Sequence, residues 1–252
     1  MINKMIFEIE SSKGKRIGRY YAPLLHGYIS EIVDKAYADV IHESGLHPYS
    51  QYLIEENNQT YWVVSALNSE AKEKISEVLK TKEKIYIKHK DEELSVRLVE
   101  EEDSCNEELI QKYYLSENDR YLKLNFWAPT SFKKDNEYII YPNLRLIFQS
   151  LMRKYDLCTD GTKIFDEQLL EDIVKNTKII NYKLKSTFFS MESVKIPSYT
   201  GTVTIRIGGP AQMVNAVWLL AAFGEYSGVG IKTGLGMGGY QILKKKDKKS
   251  GE

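Results

Sequence analysis

Two hydrophobic periods alternate along the chain. Over residues 5–10, apolar Met5, Phe7 and Ile9 alternate with Ile6, Glu8 and Glu10, the period of two expected of a half-buried strand. From 23 to 41 the spacing becomes helical, with Leu25, Ile29, Ile32, Val33, Tyr37 and Ile41 on one broad face and Gly45 as a stop. Segments 49–54 and 59–66 are β-rich and flank the polar run Glu55-Glu-Asn-Asn58, a hairpin signature. An exposed helix is predicted over 69–81 with Ile75, Val78 and Leu79 inward, and 84–88 and 94–99 offer one or two closing strands.

The order strand, helix, strand, strand, helix, strand then recurs. Residues 121–127 predict a strand, 143–155 a helix with a basic shoulder at Arg153 and Lys154, and 179–190 and 203–207 two β-rich runs. Gly209-Pro210 opens a nearly apolar helix to about residue 223, proline being suited to the first helical position, and 240–243 is the last strand. Both halves fit the split βαβ arrangement. The predicted fold class is α+β, with two tandem ferredoxin-like (RRM-like, βαββαβ) domains over 1–116 and 117–252. RNA-recognition modules use this topology, but so do many unrelated functions, and fold alone does not specify RNA.

Composition narrows the class. At 252 residues and 42% hydrophobic, the chain can build one large or two small cores. Lys plus Arg and Asp plus Glu are each 35, so a polyanion site must come from local segregation of charge. The acidic residues at 100–103 and 107–108 read as a solvated linker, whereas Lys183, Lys185, Lys195, Arg206, Lys232 and Lys244 to Lys246 weight the last third positive. The lysine run at 244–249 reads as a solvated tail. Cys105 and Cys158 are too few for a disulfide framework or zinc site and lie in no C-x-x-C pair, so no metal and no cofactor are expected, and a reducing cytosol is the default. No secretory h-region opens the chain, and the apolar run around 217–223 is too short to span a bilayer, which predicts a cytoplasmic protein away from membranes.

The densest chemical signal is Gly228-Val-Gly-Ile-Lys-Thr-Gly-Leu-Gly-Met-Gly-Gly-Tyr240. Gly228, Gly230, Gly234, Gly236 and Gly238 free the backbone, while Lys232 and Thr233 supply a cation and a hydroxyl, the ingredients of a phosphate cradle. A plain glycine-rich turn joining a helix to a final strand accounts for the same residues. Gly234, Gly236 and Gly239 satisfy a literal G-x-G-x-x-G, but no βαβ unit follows, and no glycine precedes the Lys-Ser/Thr pair of a Walker A loop.

Four histidines, at 26, 42, 47 and 89, are the natural acid–base groups. His89 sits in the charged Lys88-His-Lys-Asp91 segment and reads as surface. His26 and His42 lie at opposite ends of the first predicted helix, on the order of 20 Å apart at 1.5 Å per residue, and cannot serve one bond unless that helix bends or breaks. His42 and His47 are the more plausible neighbours; a helix-terminal histidine favoured by the dipole, followed by one in a turn, is the plainer reading. Tyr20, Tyr21, Tyr28, Tyr37, Tyr49 and Tyr52 cluster around the first helix, where rings serve base stacking or an amphipathic core edge equally well.

Taken together, the glycine loop behind an apolar helix, the Leu25-His-Gly27 helix start, His42, Tyr182-Lys-Leu-Lys-Ser-Thr187 and Ile196-Pro-Ser-Tyr-Thr-Gly201 resemble one family. It is that of the CRISPR-associated endoribonucleases that cut precursor CRISPR RNA inside each repeat, the sixth Cas family of the repeat-associated (RAMP) superfamily, and the spacing is most similar to those of type III-A systems. The resemblance covers essentially the whole chain. It implies metal-independent cleavage in which the ribose 2′-hydroxyl attacks the adjacent phosphate, leaving a 2′,3′-cyclic phosphate and a 5′-hydroxyl. It implies repeat RNA (precursor crRNA) as partner, and leaves open transient contacts with CRISPR effector subunits and a homodimer.

By the same resemblance His42 matches the family's catalytic histidine. Where many members carry a tyrosine one turn into the first helix, Ser30 stands, with Tyr28 and Tyr37 nearby; where many carry a lysine after the histidine, His47 stands. Tyr28, His47 and Lys232 are therefore candidates for the second catalytic group, and Lys183, Lys185, Arg206 and the glycine loop for holding RNA. The implied division of labour gives RNA binding to the C-terminal half and chemistry to the N-terminal half. Two rivals stand beside this reading: a non-catalytic RNA-binding subunit of the same superfamily, and an unrelated ligand- or protein-binding ferredoxin-like module.

Overall fold

Alternation of apolar residues places β1 (Ile2–Ser11) at the centre of a sheet, with Met5, Phe7 and Ile9 buried. The computed structural model describes residues 1–43, 47–159, 163–191 and 194–243, without the side chains at 40, 42 and 43, so the lysine-rich tail lies outside the described residues. A 3-10 turn (Arg19–Tyr21) leads into α1 (Ala22–Ile32) and then α2 (Lys35–Glu43). Strands β2 (Tyr49–Glu56) and β3 (Gln59–Ala66) form the predicted hairpin, with Asn57 and Asn58 in the left-handed conformation asparagine tolerates. Helix α3 (Ser69–Ala71) continues through a π turn (Lys72–Ser76) into α4 (Glu77–Lys80), and β4 (Lys84–Ile87) and β5 (Glu92–Ser104) complete an antiparallel sheet of order β2-β3-β1-β5-β4.

Two expectations for this half are corrected. The single helix over 23–41 is two helices: Val33 has an extended ψ of 155°, and the Asp34 carboxylate accepts from the Tyr37 backbone N–H at 2.9 Å, restarting the helix as an N-cap. Periodicity does not reveal the break because Ile29, Val33, Tyr37 and Ile41 remain buried across it. The acidic run is no linker. Glu100, Glu101 and Glu102 pair with Ile6, Met5 and Lys4 in the sheet, and their charge is met by Lys80 (2.6 Å to Glu101) and by Lys72 (2.7 Å to Asp103).

Helix α5 (Asn106–Leu109) and a π turn (Ile110–Tyr114) lead to β6 (Tyr121–Thr130), the small hairpin β7 (Phe132–Lys134) and β8 (Glu137–Ile139), and α6 (Leu144–Cys158). Helix α7 (Glu167–Asn176) is not anticipated by the sequence reading. Its signal is Asp166, which accepts from the Leu169 N–H at 2.8 Å just ahead of buried Leu170 and Ile173. Long strands β9 (Thr177–Met191) and β10 (Val194–Ile207), α8 (Ala211–Ser227) and β11 (Tyr240–Ile242) follow, in the sheet order β11-β6-β10-β9. Pro210 caps α8 rather than occupying its first turn, and the helix runs one turn past the predicted end. Among the described residues no helix is long and apolar enough to cross a membrane.

Both sheets have the ferredoxin-like order, with the first strand of each unit between its third and fourth. The fold is two tandem ferredoxin-like units, the first with β4 added at its edge. Their cores interlock: Phe189 and Ile196 of the β9–β10 hairpin, with Met237, are buried in the first unit's core, and Ala128 of β6 packs with Tyr52, Ile54 and Val63.

Candidate nucleic-acid interface

The glycine loop between α8 and β11 is clamped between the two units. Gly228, Thr233, Gly234, Gly236 and Gly238 are buried, Gly230 is half-buried, and Lys232 is exposed in a left-handed conformation at φ 56°. Two glycines show why no side chain is tolerated. A Cβ at Gly234 would lie 2.3 Å from His47 Nδ1, and one at Gly236, whose φ is +114°, would lie 2.3 Å from the Ala22 Cβ. Of the residues read as a phosphate cradle, Gly234 and Gly236 thus pack on the first unit, while Gly228, Gly230 and Gly238 pack on the loop itself and on Ser131, and Lys232 is exposed.

Two buried polar residues hold this arrangement. Gln51 of β2 donates to the Ala22 carbonyl at 2.7 Å and the Gly234 carbonyl at 3.2 Å, and its Oε1 accepts from the Trp62 indole at 2.8 Å. Lys154 of α6, read from sequence as part of a basic shoulder, is 3% exposed. Its Nζ donates to the Ser227 carbonyl (3.0 Å), the Gly228 carbonyl (3.2 Å) and Thr233 Oγ1 (2.8 Å), one acceptor for each ammonium proton. Burial pushes the Lys154 ammonium down to about 7. Neither residue carries a sequence motif. The only signal for Lys154 is its place among Leu151, Met152 and Tyr155 on a helix whose apolar stripe it interrupts.

Against the loop stand the histidines. The His26 ring stacks on His47 with centroids 5.5 Å apart and planes at 26°, and the His47 and Tyr49 rings are also 5.5 Å apart. Tyr49 is fully buried, which raises its phenol well above the ordinary range, so its hydroxyl stays protonated; it shares a hydrogen bond of 2.5 Å with His26 Nδ1 whose direction the imidazole tautomer sets. Among the described side chains, His47 meets His26 and Tyr49. His42 occupies the last turn of α2, and its side chain lies outside the described residues.

His26 lines an open cleft together with Tyr20, Tyr28, Lys88, His89, Lys90, Met191 and Leu235, so the cleft is shared by α1, the segment after β4, the β9 end of the hairpin and the glycine loop. The sequence reading left His89 on the surface; it is exposed, and it lines this cleft. Burial, then the Glu31 carboxylate, raise the Tyr28 phenol above its ordinary value, so it can donate a hydrogen bond but is a poor base. Among the described residues no three His, Cys, Asp or Glu side chains are placed to hold a metal ion.

A second face is built by the other sheet. Val203, Ile205 and Ile207 turn to the helices, leaving Arg206 on the opposite face. Register pairs Arg206 with Lys178 and Tyr121, and Thr202 with Lys183, while Lys185 follows two residues on. Lys183, Lys185 and Arg206 are therefore exposed on one sheet face, with Arg206 further along β10 than the positions that pair with the two lysines. Lys232 lies apart from them, on the loop.

Residues 124–240 match the family model of the CRISPR-associated endoribonuclease Cas6. The chain is 33% identical over 222 residues to the CRISPR-associated endoribonuclease Cas6 of Streptococcus thermophilus, covering 88% of this chain and 91% of that protein. The Mycobacterium tuberculosis enzyme of the same name is 27% identical over 223 residues, 87% of this chain and 71% of that one. Among solved structures, a Cas6 product complex superposes with a TM-score of 0.80 at 19% identity, over 97% of this chain and 100% of the other. Thermus thermophilus Cas6 superposes with a TM-score of 0.72, again at 19% identity, over 96% and 98%. With that sequence similarity to a full-length relative, and with the matching fold, the chain belongs to the Cas6 family of CRISPR-associated endoribonucleases.

Proposed function

We propose that this protein cuts precursor CRISPR RNA within the repeat, by attack of a ribose 2′-hydroxyl on the adjacent phosphate and without a metal ion. The observation that carries the reading is the stacked His26–His47 pair, buttressed by Tyr49 and Gly234, of which His26 lines a cleft with Tyr28, Lys88 and Lys90 at its wall. One imidazole takes the 2′-hydroxyl proton and a second group returns a proton to the leaving 5′-oxygen, each from hydrogen-bonding distance of about 3 Å. No electrons change hands, and the products are a 2′,3′-cyclic phosphate and a 5′-hydroxyl. His42 and His47 are the proposed acid–base groups, with His26 completing the cluster and protonated Tyr28 donating to a phosphate oxygen.

Lys183, Lys185 and Arg206 on the open sheet face and Lys232 on the loop are proposed to hold the RNA backbone, with Gly228, Gly230, Thr233, Gly234, Gly236 and Gly238 setting the loop's path. The proposed unit boundary is 1–116 and 117–252. Solved relatives described as a product complex and a substrate mimic complex support a bound RNA on this fold.

The test is incubation of the full-length protein with its own repeat RNA in EDTA. A single cut leaving a cyclic phosphate is expected, abolished by a 2′-deoxy substitution at the scissile nucleotide and slowed roughly 10²- to 10⁴-fold by His42→Ala. Retention of RNA without cutting would assign a binding subunit instead. Cleavage that requires a divalent ion would overturn the mechanism.

A further inference from the structure

A basic loop, Lys13 to Arg19, precedes the first helix, and the proposed chemistry leaves it unused. In the fold this loop meets the tip region of β9 and makes a second, shallower groove lined by Arg16, Arg19, Tyr20, Glu55, Phe188 and Ser190. Tyr20 and Ser190 also line the His26 cleft, so the groove and the cleft adjoin. Building on the endoribonuclease reading, we infer that this groove is a subsite for one unpaired nucleotide of the RNA, next to the scissile phosphate. Its base stacks on Phe188 and Tyr20, and its phosphate is held by Arg19.

Three observations carry this. First, Phe188 is 63% exposed and Tyr20 52% exposed, although burying an aromatic ring is worth roughly 1.5–3 kcal/mol. Neighbouring Phe189 is buried, so the strand turns one ring into the core and leaves the next in the groove. Second, Tyr20 is held rather than loose: its hydroxyl donates to the Arg16 carbonyl at 3.0 Å, its ring lies 4.9 Å from that of Tyr21, and Lys90 Nζ sits 5.7 Å above it. A positioned π face costs little entropy to stack upon.

Third, the charge is complementary to a polyanion after internal pairing. Glu55 is met by Arg16 at 2.8 Å and Glu31 by Lys88 at 2.9 Å, while Arg19 and Lys90 have no acidic partner among the described residues. A guanidinium beside an exposed ring suits a phosphate and its base, because single-strand sites combine a cationic track with stacking platforms. The Glu55 carboxylate, at the same groove, can accept from an exocyclic amino group and so favours adenine, guanine or cytosine over uracil.

The test uses the full-length protein and its repeat RNA made uncleavable by a 2′-deoxy scissile nucleotide, with single abasic substitutions at each flanking position. Phe188→Ala should weaken binding about 5- to 150-fold, the range measured for loss of one stacked base. Phe188→Trp should bind like the wild type. One abasic position should cost the wild type a similar factor and cost Phe188→Ala nothing further. Arg19→Ala should lower the slope of log Kd against log salt by about 0.7, one single-strand phosphate. An unchanged Kd for Phe188→Ala, or abasic losses that add to it at every position, would overturn the subsite, and would leave the groove to an acidic protein segment. If the wild type fails to bind repeat RNA, the endoribonuclease reading falls too; if it binds and cuts while the variants are unaffected, the subsite alone falls.

Discussion

Replacing Gly234 by alanine adds one methyl group where His47 already stands. The new Cβ would sit 2.3 Å from His47 Nδ1 and 3.0 Å from its Cγ, whereas ordinary heavy-atom contacts fall near ~3.5–4.0 Å. The loop or the ring must therefore yield by roughly 1 Å. The loop has little freedom: Gln51 holds the Gly234 carbonyl, and Gly236 and Gly239 are backed by Ala22 and Tyr52. The histidine is the part that moves. Overpacking of this kind costs about 1–3 kcal/mol of stability, and displacing a reacting group by ~1 Å can cost ~10²-fold in rate. The assay pairs urea unfolding with single-turnover cleavage of repeat RNA at saturating protein. Expected is a loss of about 1–3 kcal/mol together with a rate reduced about 100-fold and a Kd changed far less. In a His47→Ala background the added methyl finds space, so the stability penalty of Gly234→Ala should disappear. A penalty that persists without the ring would refute the steric argument, and full-rate cleavage by Gly234→Ala would refute the link from loop to chemistry.

Four further outcomes are expected. Burial favours the neutral amine of Lys154 in the folded state, so that state binds fewer protons than the unfolded chain from about 7 up to the ordinary lysine value, and this residue's contribution to stability rises with pH across that window. Lys154→Met lacks the rise, and its unfolding free energy should fall behind the wild type by up to about 1.4 kcal/mol per pH unit there; a difference that stays constant with pH would mean that burial does not depress the Lys154 ammonium. Gln51→Leu leaves the buried Trp62 indole N–H without its acceptor and should lose about 1–3 kcal/mol by denaturant unfolding, whereas no loss would show that a replacement partner exists. Gly27 faces open space on α1, so Gly27→Ala should gain up to about 1 kcal/mol in melting experiments, and destabilisation would mean the site is not open. The triple variant Lys183→Ala, Lys185→Ala, Arg206→Ala should flatten the salt dependence of RNA binding by about 2–3 in log–log slope, and an unchanged slope would take the sheet face out of the interface.

What could be read from sequence divides by range of interaction. The strand, helix and strand-pair pattern reports which side of each element faces a core, and from it both ferredoxin-like units follow, because β1 and β6 carry clean alternation. Local capping chemistry is legible at Asp34 and Asp166, single residues whose effect is to break one helix and begin another and which leave the apolar periodicity unchanged. Acidity misled at 100–103, since a charge run is usually solvated, and only the positions of Lys72 and Lys80 on the opposing helix show it to be a paired strand. The site was legible in its ingredients rather than its assembly. Lys183, Lys185 and Arg206 share a face through the register of β10 with β9, and His26 meets His47 because β2 carries Tyr49 alongside α1. No spacing rule contains either fact.

The same limit explains the glycine loop. Its composition is compatible with cradling a phosphate and with packing tightly, and the two were indistinguishable while only the loop's own residues were considered. What separates them is the far side of each contact, supplied by Ala22, His47, Tyr52 and Lys154, all remote in sequence. A loop that touched only ligand would couple mutation to affinity. This loop has carbonyls held by Gln51 and Lys154 and the bare Cα of Gly234 pressed on His47, so it fixes that ring's position before any RNA arrives. Under the proposed chemistry, the division of labour between an RNA-holding half and a reacting half therefore breaks down: the C-terminal unit contributes a wall of the site where the reaction occurs, and its glycines should be felt in rate before they are felt in binding.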